Sequence, residues 1–111
     1  MSDTNYFSGI VKVLENPIQT FFNDKISVTK FRVEIPQMRK NRIVTLVFWG
    51  NLASEVKNYY QINDYILIEG YLSIRNKKNI NLITKNSKQI TITVLKVYPF
   101  LLKSNPSISK V

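Results

Sequence analysis

Short segments in which apolar and polar residues alternate recur along the chain, and clusters of Asn, Asp, Lys and Pro separate them. Alternation with a period of two, bounded by turn-forming residues, is typical of β-strands. Pro17 closes the first segment because it cannot donate to a strand ladder, and the second segment runs to a tight turn at residues 23–25. The predicted strands are 6–14, 26–35, 43–49, 65–75 and 80–94, and residues 18–22 are not counted as a separate strand.

The segment 26–35 changes the phase of its apolar residues. They occupy even positions as far as Val28 and odd positions from Phe31 onwards. One extra residue near Thr29-Lys30 accounts for the change, so we predict a β-bulge there that bends the strand. Further along the chain, Gly70 falls on the inward face of its strand, where a glycine suits sharp coiling.

One stretch of the chain has helical spacing. Asn51 is placed to cap a helix in which Val56 and Tyr59 or Tyr60 recur on one face, over about two to three turns. The order of elements is then three strands, a helix and two strands. This order is that of an OB-fold, which is a five-stranded, partly open barrel.

The expected fold is therefore all-β, a five-stranded OB-fold barrel with one helix between strands 3 and 4. The expected domain covers residues 1–94. Residues 95–111 are expected to form a C-terminal extension that is partly apolar and then flexible. A chain of 111 residues has room for one such domain.

The charge balance favours an anionic partner. Lys and Arg number 16 against 7 Asp and Glu, which gives a formal net charge of +9. The bias towards Ile, Asn and Lys is expected from an A/T-rich genome, and it contributes part of this charge. Without Cys or His, the chain has no thiol nucleophile, no imidazole base and none of the usual nitrogen and sulfur ligands for zinc, iron or copper. We therefore expect a protein that is not an enzyme and has no cofactor.

The chain carries no apolar run near the roughly 20 residues that a membrane helix needs, and its N-terminal residues do not resemble a signal peptide. A soluble, untargeted protein is expected.

Three segments resemble the bacterial-type single-stranded DNA-binding proteins (SSB). Residues 47–53, V-F-W-G-N-L-A, resemble the aromatic-G-x-L-A segment of that family, Tyr59-Tyr60 its helical Y-L pair, and residues 68–75, I-E-G-Y-L-S-I-R, its I-E-G-x-L-x-x-R segment. The spacing is the same, without a gap, and residues 5–35 are similar to the opening of the family. Primosomal replication protein B and the plastid and cyanobacterial SSB-like proteins share this scaffold.

The resemblance implies sequence-independent binding of single-stranded DNA in replication, repair or recombination, by base stacking and phosphate contacts. It also implies a homodimer or homotetramer, and RNA is a possible second ligand. Together with the Asn, Ile and Lys bias, it points to a plastid (chloroplast stroma) or to a bacterial cytoplasm.

Strand parity and the resemblance select the candidate site. Parity places Trp49 opposite Phe48 and on the outer face, and Trp49 is the leading stacking candidate; Tyr71 also points outward, and Phe21 matches an aromatic residue of the family. The candidate phosphate ligands lie on the outer strand faces or in the two basic loops, and they are Lys30, Arg32, Arg39, Lys40, Arg75, Lys77 and Lys78.

The chain departs from the family pattern at several positions. Ile43 and Lys77 stand where the family carries aromatic stacking residues, Ile62 replaces a basic residue, and residues 109–111 replace the acidic C-terminal tip. These departures predict weaker binding and argue against a partner network recruited by the tail.

The other interpretation is an OB scaffold retained as a protein-interaction module. In that case the apolar strand face and residues 98–102 bind a partner, and Trp49 is an interface residue.

Overall fold

A computed structural model describes residues 5–36, 42–77 and 87–102, and it describes residues 76, 77, 87 and 88 as backbone only. The described chain is mostly β-sheet with one helix. Its elements in chain order are β1 (Tyr6–Val13), β2 (Ile18–Phe22), β3 (Ile26–Ile35), β4 (Arg42–Trp49), α1 (Asn51–Tyr59), β5 (Tyr65–Lys77) and β6 (Ser87–Leu101).

The six strands form one sheet in the order β1-β5-β6-β4-β3-β2. All neighbouring pairs are antiparallel except β4 and β6, which run parallel over three residue pairs. The sheet curls so that the end of β1 also pairs with β3, through Lys12 with Glu34 and Val13 with Val33. This curling encloses a core from every element except β2, and its largest fully buried side chains are Phe31, Phe48, Leu46, Ile66, Ile68 and Ile92.

The strand count differs from the expected five because the segment before residue 24 forms two strands. The chain is interrupted at Asn16-Pro17. Before it, β1 pairs along its length with β5 and only at its end with β3, whereas after it β2 pairs with β3 alone. Four strands therefore precede the helix, which lies between β4 and β5 rather than between strands 3 and 4.

The predicted β-bulge near Thr29-Lys30 is wrong. The register of β3 against β4 is continuous from Val28 opposite Trp49 to Ile35 opposite Arg42, and β2 also pairs with β3 without a shift. Val28 is buried on the outer face of the sheet, and Thr29 is buried on the core face, where its hydroxyl donates to the Ala53 carbonyl oxygen at 2.7 Å. The apparent change of phase arose because Val28, although apolar and buried, lies on the outer face and not in the core.

Strand β6 continues beyond Val94. Residues 95–101 belong to it and pair with the first half of β5, as far as Leu101 opposite Tyr65. They are therefore part of the sheet and not of an extension that begins at residue 95. Residues 80–86, in the first part of the predicted last strand, and residues 103–111 lie outside the described residues.

Asn51 is the first residue of the helix and not, as we predicted from the sequence, its cap. Gly50 takes the cap position with φ +67°, a conformation that costs glycine little, and the Ala53 amide donates to its carbonyl oxygen at 3.0 Å. The helix spans nine residues, which agrees with the predicted two to three turns.

Gly70 is buried, as expected, where β5 shifts its register against β6. A β-carbon added to Gly70 would collide with the Thr93 carbonyl oxygen and lie 2.9 Å from the Val94 Cα. Both atoms belong to the backbone of the neighbouring strand, so no side-chain rotation relieves the contact.

We expect Gly70→Ala to lower the free energy of unfolding by about 2 kcal/mol or more, because the added methyl group must displace strand β6. Urea unfolding followed by circular dichroism measures this loss. Gly9→Ala is the control, because the β-carbon at that position meets only the Phe7 ring, which can move. An unchanged unfolding midpoint for Gly70→Ala would contradict the close approach of β5 and β6.

Candidate nucleic-acid interface

The outer face of the sheet is concave where β2, β3, β4, β6 and β5 lie side by side. We name this surface the outer groove, and it encloses about 450 Å³. Among the described residues, two basic residues and no acidic residue line it. The lining residues are Thr20, Phe21, Phe22, Val28, Lys30, Thr45, Val47, Trp49, Ser73, Arg75, Gln89, Thr91 and Thr93.

Trp49 stands at one side of the outer groove. It lies on the face opposite the fully buried Phe48, as strand parity predicted, and its side chain is 45% exposed. The Phe22 ring meets the indole edge to face, with ring centroids 6.1 Å apart and an interplanar angle of 79°. This contact supports the indole from one side while leaving nearly half of it accessible.

Sequence reasoning missed Phe22. Both Phe21 and Phe22 are exposed, at 58% and 53%, because β2 is the last strand of the sheet and lies outside the core. Phe21 lines the outer groove, as predicted, although Phe22 is the residue in contact with Trp49. The signal for Phe22 was the turn at Asn23-Asp24, where both residues have positive φ, because such a turn fixes the register of a hairpin.

Lys30 and Arg32 project from the same face of β3, but their surroundings differ. Lys30 is exposed and lines the outer groove. Arg32 is tied to Glu15, whose carboxylate accepts the Arg32 backbone N–H at 2.8 Å and contacts the guanidinium at 3.3 Å. Arg32 does not line the groove, and its charge is largely compensated by this carboxylate.

The Arg32 contacts shift the acidity of Glu15. Partial burial by itself would raise the pKa of the Glu15 carboxyl, but the hydrogen bonds and charge of Arg32 outweigh this effect and hold the pKa below its ordinary value of 4.5. The ionised pair therefore fastens the connection between β1 and β2 to strand β3.

At the other side of the groove, β5 contributes Arg75 and Ser73, which face Gln89 and Thr91 on β6. Between this side and Trp49, the floor consists mainly of threonine hydroxyl groups and the buried Val47. The groove therefore offers two cations, hydrogen-bonding hydroxyl groups and an aromatic face, and among the described residues no carboxylate lines it.

Tyr71 lies on the same outer face but just beyond the groove. It pairs with Thr93, which lines the groove, and its ring meets the Tyr6 ring edge to face at 5.6 Å. The Tyr6 hydroxyl in turn donates to the Glu69 carboxylate at 2.7 Å.

The structure thus brings Trp49, Phe21, Lys30 and Arg75 together in one groove and leaves Arg32 and Tyr71 beside it. The other candidates cannot be located in the same way: Arg39, Lys40 and Lys78 lie outside the described residues, and Lys77 is described only by its backbone.

Within the described residues, no group of three or more His, Cys, Asp or Glu side chains is arranged to hold a metal ion. Among the described residues, the helix α1 has nine residues and is too short to cross a membrane.

No family model matches the chain. Comparison with individual proteins does find relatives. The chain is 42% identical over 104 residues to a protein of Trieres chinensis named as the single-stranded DNA-binding protein ycf41, covering 90% of this chain and 92% of the relative. It is 34% identical over 74 residues to the thylakoid-associated single-stranded DNA-binding protein slr1034 of Synechocystis, covering 63% of this chain and 57% of the relative.

Solved structures give the same picture. The SSB domain of a Synechococcus protein superimposes with a TM-score of 0.68 at 25% identity, over 88% of this chain and 98% of that one. A small single-stranded DNA-binding protein of Streptomyces coelicolor superimposes with a TM-score of 0.78 over 90% of this chain and 97% of that one, and its 12% identity makes the likeness one of fold.

The Glu15–Arg32 contact predicts a pH dependence of stability. Because folding lowers the pKa of Glu15, the stabilisation is complete above pH 4.5 and is lost as the pH falls through the lower, folded-state pKa. We expect Glu15→Gln to lower the urea midpoint at pH 7 and to have a smaller effect at pH 3. Equal losses at both pH values would show that the ionised contact contributes nothing.

Proposed function

The chain belongs to the family of single-stranded DNA-binding proteins, and we propose that it binds single-stranded DNA, independently of sequence, along the outer groove. The relatives named for this activity support the proposal. In this proposal the curled sheet is an OB-fold barrel, and the protein serves DNA replication, repair or recombination without catalysing a reaction.

One observation carries the proposal: a half-exposed indole stands beside a groove whose described lining residues include two cations and no carboxylate. Aromatic faces accept any base, since every base has a π-face, and each stacked base contributes about 1–3 kcal/mol. Trp49 is the stacking residue in this arrangement, and Phe22 holds its ring in position. Phe21 offers further aromatic surface at the edge of the groove.

Phosphate contacts supply the remaining affinity. Lys30 and Arg75 stand at opposite sides of the groove floor, so a strand that crosses the sheet passes both of them. We assign Arg39, Lys40, Lys77 and Lys78 to phosphates further along the strand. Arg32 makes a smaller contribution because Glu15 already compensates its charge, and Tyr71 offers a second stacking surface beside the groove.

The functional unit in this proposal is a homodimer or homotetramer. Several large apolar side chains remain exposed outside the groove, including Tyr98, Phe100 and Leu101 on β6, and such side chains are usually covered by a partner. The plastid is the proposed location, which agrees with the ycf41 and thylakoid-associated relatives.

We expect Trp49→Ala to weaken the binding of oligo-dT by roughly 5- to 150-fold, because a stacking surface is lost. Trp49→Phe retains part of this surface and should lose less. Fluorescence anisotropy with a labelled oligonucleotide at low salt measures both variants. Tyr59→Ala is the matched control, because Tyr59 is an equally exposed aromatic residue (45%) on the helix, outside the groove.

Binding by Trp49→Ala equal to that of the unmodified protein would exclude the indole as a platform. The same variant tests the alternative interpretation, in which Trp49 is part of a protein interface. A platform residue leaves the elution volume in size exclusion unchanged, whereas loss of an interface residue shifts it without weakening DNA binding.

Replacement of Lys30 and Arg75 by Gln tests the phosphate contacts. Each lost contact should reduce the slope of log affinity against log salt by about 0.7, so the double variant should lose about 1.4. Titrations of oligo-dT at four salt concentrations give this slope. Lys57→Gln on α1 removes a charge outside the groove and should leave the slope unchanged; an equal decrease there would mean that net charge, and not the groove, determines binding.

A further inference from the structure

A second depression adjoins the outer groove where Lys30 stands. We name it the side groove, and it encloses about 330 Å³. The two grooves have three lining residues in common, Thr20, Lys30 and Thr45, so they form one continuous surface. The other residues that line the side groove are Glu15, Ile18, Phe31 and Arg32.

The cations of β3 lead from the outer groove into the side groove. Lys30 lies opposite Val47 on β4, and Arg32 lies opposite Thr45. Side chains two residues apart share a face of a strand, and their positions are about 6.8 Å apart along it. A nucleic-acid strand that passes Lys30 and continues along the side groove therefore meets Arg32 next.

Glu15 contributes a carboxylate to this surface. Among the described residues it is the single acidic residue that lines either groove, and it lies against Arg32. Its oxygens accept the Arg32 backbone N–H at 2.8 Å and contact the guanidinium at 3.3 Å. Partial burial favours the neutral carboxyl, but the contacts with Arg32 outweigh it and hold the pKa of Glu15 below its ordinary value. The carboxylate is therefore charged at neutral pH.

The contact between the Glu15 carboxylate and the Arg32 guanidinium is open to competition. The two side chains are 38% and 61% exposed, and ion pairs in contact with water are weak because the solvent screens them. The hydrogen bond from the Arg32 backbone N–H does not depend on the guanidinium, so this group can turn away while Glu15 stays in place. A phosphate matches the fork of a guanidinium as well as a carboxylate does.

We propose that the side groove is a further phosphate site on the DNA path, and that Glu15 competes with the phosphate for Arg32. This inference rests on the proposed function, since it needs a strand in the outer groove. The phosphate binds the guanidinium, and the hydroxyl of Thr45, opposite Arg32 on β4, is a second donor. Glu15 is a positioning residue that does not bind DNA. It lowers the affinity because it holds the guanidinium and repels the phosphate.

The test measures the binding of oligo-dT at several salt concentrations. Glu15→Gln frees the guanidinium, while the amide oxygen of Gln can still accept the Arg32 backbone N–H. One additional phosphate contact should steepen the slope of log affinity against log salt by about 0.7 and tighten binding roughly 3- to 10-fold at about 50 mM salt. The double variant Glu15→Gln/Arg32→Gln has no cation at this position and should return to the slope of the unmodified protein.

Two further variants separate the proposed competition from effects of net charge and of folding. Glu55→Gln removes one negative charge on α1, outside both grooves, and should leave the slope unchanged. Arg32→Gln alone leaves an uncompensated carboxylate beside the strand and should bind more weakly than the double variant. Circular dichroism confirms that each variant is folded.

A role of Glu15 in the fold alone predicts the opposite sign, because Glu15→Gln would then bind more weakly as it loses stability. Weaker or unchanged binding by folded Glu15→Gln would therefore overturn the side-groove site and leave the proposed function standing. An equal gain in Glu55→Gln would also overturn it, because net charge would then explain the effect. Absence of oligo-dT binding by the unmodified protein would instead overturn the proposed function.

Discussion

The unbroken antiparallel register between β3 and β4 separates the core from the candidate interface. Eight consecutive residue pairs send Phe31, Leu46 and Phe48 inward and their immediate neighbours Lys30, Val47 and Trp49 outward. Because side chains alternate along a strand, a slip of one residue would bury the indole and expose Phe48. Packing of the core therefore determines which residues face the groove, and the two surfaces cannot change independently.

The pattern of apolar and polar residues was sufficient to predict those structural features that depend on residues close together in the sequence. The apolar pattern and the turn-forming residues on either side located the strand at Ile26–Ile35 with both of its bounds, and parity put Trp49 on the outer face. The single helix was recognised from its spacing. The inward position of Gly70 was also recognised, from sharp coiling of the strand, whereas the close approach of the β6 backbone became visible only in the structure.

Features that depend on partners distant in sequence were not predictable in this way. Hydropathy marks Val28 as buried but does not tell whether it is buried in the core or beneath the groove, and the mistaken bulge followed from that ambiguity. Residues 95–101 become a strand only because β5 offers them an edge. For the same reason, the compensation of Arg32 by Glu15, 17 residues earlier in the chain, could not be read from the charges alone.

The support of Trp49 by Phe22 joins the central strand β4 to β2, which stands at the end of the sheet order. A terminal strand is held by one neighbour, so its hydrogen bonds open more readily than those of the interior strands. The orientation of the indole thus depends on the least anchored strand of the sheet. A base stacked on the indole would reduce the opening of β2. The loss of conformational entropy in this hairpin would then subtract from the binding free energy.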